Sequence, residues 1–165
     1  MSFKNDEYLN FIRKNPCLVC HLSGRPTGLA AEAHHESVST INRHHKRGND
    51  YATVPLCKIH HDQRHAIGFD TFWKIVGDYL GEREKSPFFI AASLVSMYLL
   101  EFLDKITSDL APDEHERLLA EISSKLDDVF NTGDDITEAQ LRKMLDILTQ
   151  YAHEQYTMRF RGEVN

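Results

Sequence analysis

Eight of the ten histidines and all three cysteines of this 165-residue chain fall between residues 17 and 65. Three cysteines cannot all pair with one another. Crowded with histidine, they point to metal ligation rather than to a disulfide framework. Spacing divides the crowd into two ligand sets. Cys17-x-x-Cys20 and Cys57-x-x-His60 form two knuckles of soft or borderline donors, the closed tetrahedral arrangement of a structural zinc site. Three buried cysteines that merely pack would be the plain alternative, and the surrounding histidines weigh against it. His21 could replace His60, although the position directly after a knuckle cysteine is a tight one.

The second set is His34-His35 together with His61-x-x-x-His65. If the chain after Cys57 is helical, His61 and His65 stand one turn apart on one face and can share an ion. A third ligand then comes from the His34-His35 pair. Neighbouring residues of a strand point to opposite sides, so one histidine ligates and the other is left for proton transfer. A neutral imidazole suits removal of a proton from water near neutral pH. A divalent ion held by three protein ligands keeps positions open for a phosphate and acts on it as a Lewis acid. One histidine-rich cleft could thus hydrolyse a phosphodiester. On ligand preference alone, an all-imidazole set favours zinc, nickel or manganese over magnesium.

The elements that must hold these residues follow from apolar periodicity. Tyr8, Phe11 and Ile12 give a helix to Lys14 that stops before Pro16, and residues 17–20 follow as a turn. Thr27 to Ala33 leads into the His34-His35 pair as a short strand. The polar, basic residues 38–50 read as a loop, and Tyr51 to Leu56 as a second strand. A short helix from His60 or His61 to about Phe69 precedes a longer one around Thr71 to Leu80. Residues 81–87 (GEREKSP) read as a linker. Beyond it come three helices: an apolar one over Phe88 to Ile106, one opened by Pro112, and one capped by Thr137 and Gln140. Leu118, Leu119, Ile122, Leu126 and Val129 form the inward face of the second. Leu141, Leu145, Leu148 and Tyr151 form that of the third.

The ordered runs PCLVC, AEAHHES and VPLCKIHHDQRH, spread over about residues 8–75, resemble the HNH endonucleases of the ββα-metal type. Within them the likeness is to the phage-associated group of Ref-like and lambdoid-phage nucleases. The resemblance implies a zinc-stabilised ββα-metal module over 1–82; with the all-helical region that periodicity gives over 87–163, the expected fold class is α+β. The resemblance implies that His34, His61 and His65 bind the catalytic metal and that His35 is the general base. Cys17, Cys20, Cys57 and His60 become the structural zinc set. Asn49 and Asp50 both stand near the family's middle position. Either could orient the base, and Asp50 is carried forward as the candidate. The implied activity is metal-dependent cleavage of DNA, with zinc as structural cofactor and Mg²⁺, Mn²⁺ or Zn²⁺ at the catalytic site. The resemblance also permits a recombination-protein partner, and the expected setting is the bacterial cytoplasm.

Charge agrees with DNA as partner only in the front half. Residues 1–75 carry 10 Lys/Arg and 7 Asp/Glu, whereas residues 76–165 carry 9 and 18. Phosphate would therefore be drawn to the front and repelled by the back. Arg43, Lys46 and Arg47 between the strands, and Lys58 and Arg64 near the helix start, are the candidate nucleic-acid contacts. His44 and His45 sit in the same polar stretch and are left out of the metal sets. No uncharged apolar run of 18 residues occurs, so no membrane span is expected. Phe88 to Leu103 is apolar enough to bury against a second copy or another protein, the alternative being a self-contained bundle. His115 and His153 are isolated and expected at the surface. The rival to an enzyme is a zinc-stabilised module that binds nucleic acid or protein without cutting, for which the Cys/His set alone would suffice.

Overall fold

The chain folds as a mixed α+β protein, mostly helical, around one two-stranded antiparallel sheet. The computed structural model describes residues 3–38, 49–130 and 136–160. Helix α1 (Asp6–Lys14) starts where the Asn5 side chain accepts the Tyr8 amide, and ends at an extended Asn15 before Pro16. The expected turn at the first cysteine pair is instead a helix, α2 (Leu18–Ser23), with Cys17 as its N-cap. Gly24, in the left-handed region at φ 65°, closes it by donating its amide to the last turn.

Strands β1 (Ala31–His35) and β2 (Thr53–Cys57) pair with His34 opposite Val54 and His35 opposite Thr53. The chain passes from β2 directly into α3 (Lys58–Ile67), with Cys57 as its N-cap. Gly68 separates α3 from α4 (Phe69–Leu80). The register sends His34 inward against α3, while His35 faces outward.

Helix α5 (Pro87–Thr107) begins at a Ser86 cap and buries residues around most of its circumference. By length and composition it could cross a membrane. Its apolar surface is nonetheless covered within the chain by α4 and α7, with β2 and α1 adding contacts. Met97 and Leu100 of the Phe88–Leu103 run remain exposed. Tyr8, Tyr51 and Phe102 meet at ring separations of 5.0–6.5 Å, so one apolar core joins α1, the sheet's approach and α5.

Helix α6 (Pro112–Phe130) buries Ile122 and Val129, with Leu118 and Leu126 packed alongside. Leu119, expected on that face, is exposed, because it lies one residue past Leu118 and hence about 100° around the helix. In α7 (Glu138–Phe160) the Thr137–Gln140 capping box is closed in both directions, at 2.8 and 3.2 Å. Leu141, Leu145, Leu148 and Tyr151 point into the core.

Candidate metal centres

Cys17 and Cys57 each stand at a helix N-terminus, where partial positive charge favours a thiolate. With Cys20 on α2 and His60 on α3 they gather four ligand atoms within 4.8 Å of one another. The Nδ1 of His60 lies 3.3, 3.5 and 3.2 Å from the sulfurs of Cys17, Cys20 and Cys57, and Cys20 and Cys57 are 3.9 Å apart. A tetrahedron with bonds of about 2.3 Å has edges of about 3.8 Å, so these separations fit an ion such as zinc at the centre. Burial drives the Cys17 thiol up to about 11. At Cys57 burial is outweighed by hydrogen bonds from Thr27, the His60 backbone and Cys17, and the thiol falls to about 6. Metal binding would let all three ionise together.

The second set forms across the sheet and the same helix. The ring centroids of His34, His61 and His65 lie 4.6–5.0 Å apart, and one nitrogen from each falls within 4.8 Å of the others. His34 is buried, His61 half-buried and His65 exposed, so the cluster is walled on one side and open on the other. Burial, with His61 and Arg64 adding, lowers His34 to about 3 and keeps its imidazole neutral and able to ligate. The buried Nδ1 of His34 has no hydrogen-bond partner among the described residues, as expected of a nitrogen reserved for an ion. Its Nε2 lies 3.4 Å from Glu36, and His61 Nδ1 contacts the Glu32 carboxylate. Carboxylates on the far ring nitrogens orient ligating histidines in this way.

Glu36 is buried and receives Arg64 through two nitrogens at 3.0 and 2.9 Å. Burial raises its carboxyl above the ordinary value even so, with Arg64 pulling the other way. Arg64, expected to touch nucleic acid, therefore turns inward beneath His34 and stacks over Phe69. Lys58 sits exposed at the start of α3, paired with Asp62. Arg43, Lys46 and Arg47 lie outside the described residues, as do His44 and His45.

On the other face of β1, the His35 side chain is 40% exposed and its Nε2 lies 3.1 Å from Asp50 Oδ1. Of the two middle candidates it is Asp50 that meets His35. The Asn49 side chain instead accepts the Tyr51 amide and donates to Thr149. Burial pushes Asp50 up, but His35, Lys4 and the Asn5 amide together hold it down at about 2. Lys4, at 2.8 Å from the same carboxylate oxygen, adds a partly exposed cation beside His35.

Glu32, Glu36 and Lys4 were not singled out from the sequence. The two glutamates carried a signal: with His34 they form a period-two series, Glu32-x-His34-x-Glu36, on one face of an extended segment. Lys4 carried none, because only the fold brings α1's approach to Asp50. No family model, curated sequence or solved structure matches the chain.

Proposed function

We propose that this protein is a metal-dependent endonuclease of the ββα-metal HNH type that hydrolyses phosphodiester bonds in DNA. One observation carries the reading. Adjacent residues of one strand serve two groups: His34 joins His61 and His65 of α3 in a cluster able to hold an ion, and His35 is solvent-facing and held by a carboxylate. A closed Cys₃His site alone would serve a binding module, but such a module has no use for this second constellation.

In the proposed reaction His34, His61 and His65 would hold a divalent cation, which supplies Lewis-acid stabilisation of charge on the phosphate oxygens. His35 donates Nε2–H to Asp50, which leaves the Nδ1 lone pair to take a proton from water. The water oxygen bonds to phosphorus as the phosphorus–oxygen ester bond breaks. The departing alkoxide takes a proton from solvent. Asp50 fixes the ring and stabilises the imidazolium that forms. Cys17, Cys20, Cys57 and His60 would hold a structural zinc that ties α2 to the start of α3.

Plasmid and linear DNA incubated with the protein across Mg²⁺, Mn²⁺ and Zn²⁺ test the reading, beside His35→Ala and a chelated control. Cleavage by the native chain that falls about 10²-fold or more in His35→Ala is expected, the usual share of a general base. Equal cleavage by the variant would remove His35 from the mechanism. DNA retention without cleavage under every metal would favour the binding module.

A further inference from the structure

Helix α7 presents a polar stripe to residues that flank the two strands. Arg142, Thr149 and His153 are seven and four residues apart, which puts them on one face of α7 over three turns. Each meets a residue bordering the segment that joins the strands. The Arg142 guanidinium donates to the carbonyls of Ser37 and Val38, at 3.2 and 3.1 Å. The Thr149 hydroxyl accepts from Asn49 Nδ2 at 3.5 Å. Nδ1 of His153 lies 3.3 Å from the Tyr51 hydroxyl, and its ring packs edge-on to Phe3 at 4.9 Å.

The residue between those two anchors is Asp50. Its turn is further closed by Tyr51 N–H to Asn49 Oδ1 at 3.1 Å and by Thr53 Oγ1 to the Asp50 carbonyl at 3.0 Å. The buried Tyr51 hydroxyl also accepts from Asn5 Nδ2 at 2.7 Å, and the Asn5 amide donates to Asp50 Oδ2 at 2.9 Å. The two oxygens of Asp50 are thus assigned, one to Asn5 and the other to His35 and Lys4. The residues on either side of this carboxylate, Asn49 and Tyr51, make contacts that end on α7. Buried polar contacts of this kind specify one arrangement where apolar packing alone would tolerate several.

We infer that Thr149 and His153 of α7 are positioning residues for the His35–Asp50 pair, with Arg142 fixing the other border of the same segment. This rests on the nuclease reading for its catalytic consequence, though not for its structural one. An alignment error of a fraction of an ångström in such a pair lowers the rate without weakening substrate binding.

The test compares the native chain with Thr149→Val/His153→Phe and with the conservative Thr149→Ser/His153→Asn. In all three, steady-state cleavage over a range of DNA concentrations is measured together with zinc content, melting temperature and the ¹H–¹⁵N imidazole signals of His35, assigned by their loss in His35→Ala. In the first variant kcat should fall by about tenfold with KM and zinc content little changed, since the lost contacts position and do not bind. Its His35 signals should shift as well. The conservative variant should restore both readouts. Native His35 signals and native kcat in Thr149→Val/His153→Phe would overturn the proposal. If the double variant does not fold, Thr149→Val alone, which keeps the buried volume, is read in the same way. If the native protein cuts no DNA, the nuclease reading fails, and the His35 signals still decide whether α7 positions the pair.

Discussion

Asp50 shows how much a single side chain depends on what surrounds it. Buried and alone, its carboxylate would be raised towards neutrality. Instead His35, Lys4 and the Asn5 amide stabilise the charge and hold the group at about 2. An unfolded aspartate titrates near 3.9, so the folded state binds its proton less readily. The stabilisation is therefore complete above about pH 4 and is lost as pH falls towards 2, a contribution of about 2 kcal/mol. Asp50→Asn should remove that part of the acid sensitivity, seen as a smaller loss of unfolding free energy between pH 5 and pH 2 in urea titrations. An unchanged acid profile would show that the carboxylate is not held as described. Arg64 makes a related point. A basic residue near a helix start suggests a phosphate contact, yet its two bonds to buried Glu36 make it part of the wall behind His34.

Helix α3 serves both ligand sets at once. Its N-cap Cys57 and third residue His60 complete the Cys₃His cluster, and His61 and His65 complete the histidine cluster. None of its own side chains from Lys58 to Ile67 is buried, so little apolar packing fixes it. Metal at the Cys₃His site would then be the main tether of α3 to α2. Removing it should loosen the histidine cluster as well. We expect one tightly held zinc per chain after purification. Cys57→Ser should lose that zinc and lower the melting temperature by about 10 °C or more. A metal-free variant that melts with the native protein would contradict this role. Helix α2 illustrates a local correction: the residues read as a turn at Cys17–Cys20 continue helically until Gly24 supplies the left-handed stop.

The acidic half of the chain is the scaffold of the basic half. Tyr8, Tyr51 and the sheet rest on α5, and α7 meets the residues around Asp50. A fragment of residues 1–82 would expose the apolar surfaces that α5 covers, chiefly on α1, β2 and α4. Zinc would secure only the α2–α3 corner of such a fragment. It should accordingly show no cooperative thermal unfolding even with zinc present, and should bind a hydrophobic dye. Sharp unfolding of that fragment would mean the front half carries a sufficient core of its own. The negative charge of α6, six acidic residues against two basic ones, would add a second effect, repelling phosphate from that helix.

The two ligand sets, the helices other than α2 and the separation of His34 from His35 were readable from the chain. Each depends on spacing within a few residues: knuckle pairs, an i, i+4 pair and the period of a strand. The choice between Asn49 and Asp50 was not readable, because the two are adjacent and only the turn geometry sends one to His35 and the other to Thr149. Nor could the sequence place Lys4, Glu36 with Arg64, or His153, which was expected at the surface and instead packs against Phe3 and Tyr51. These contacts join residues 28 to 150 positions apart. Local periodicity carries no trace of such pairings. Only the tertiary packing of α1, α3 and α7 around the sheet and its flanking residues brings them together.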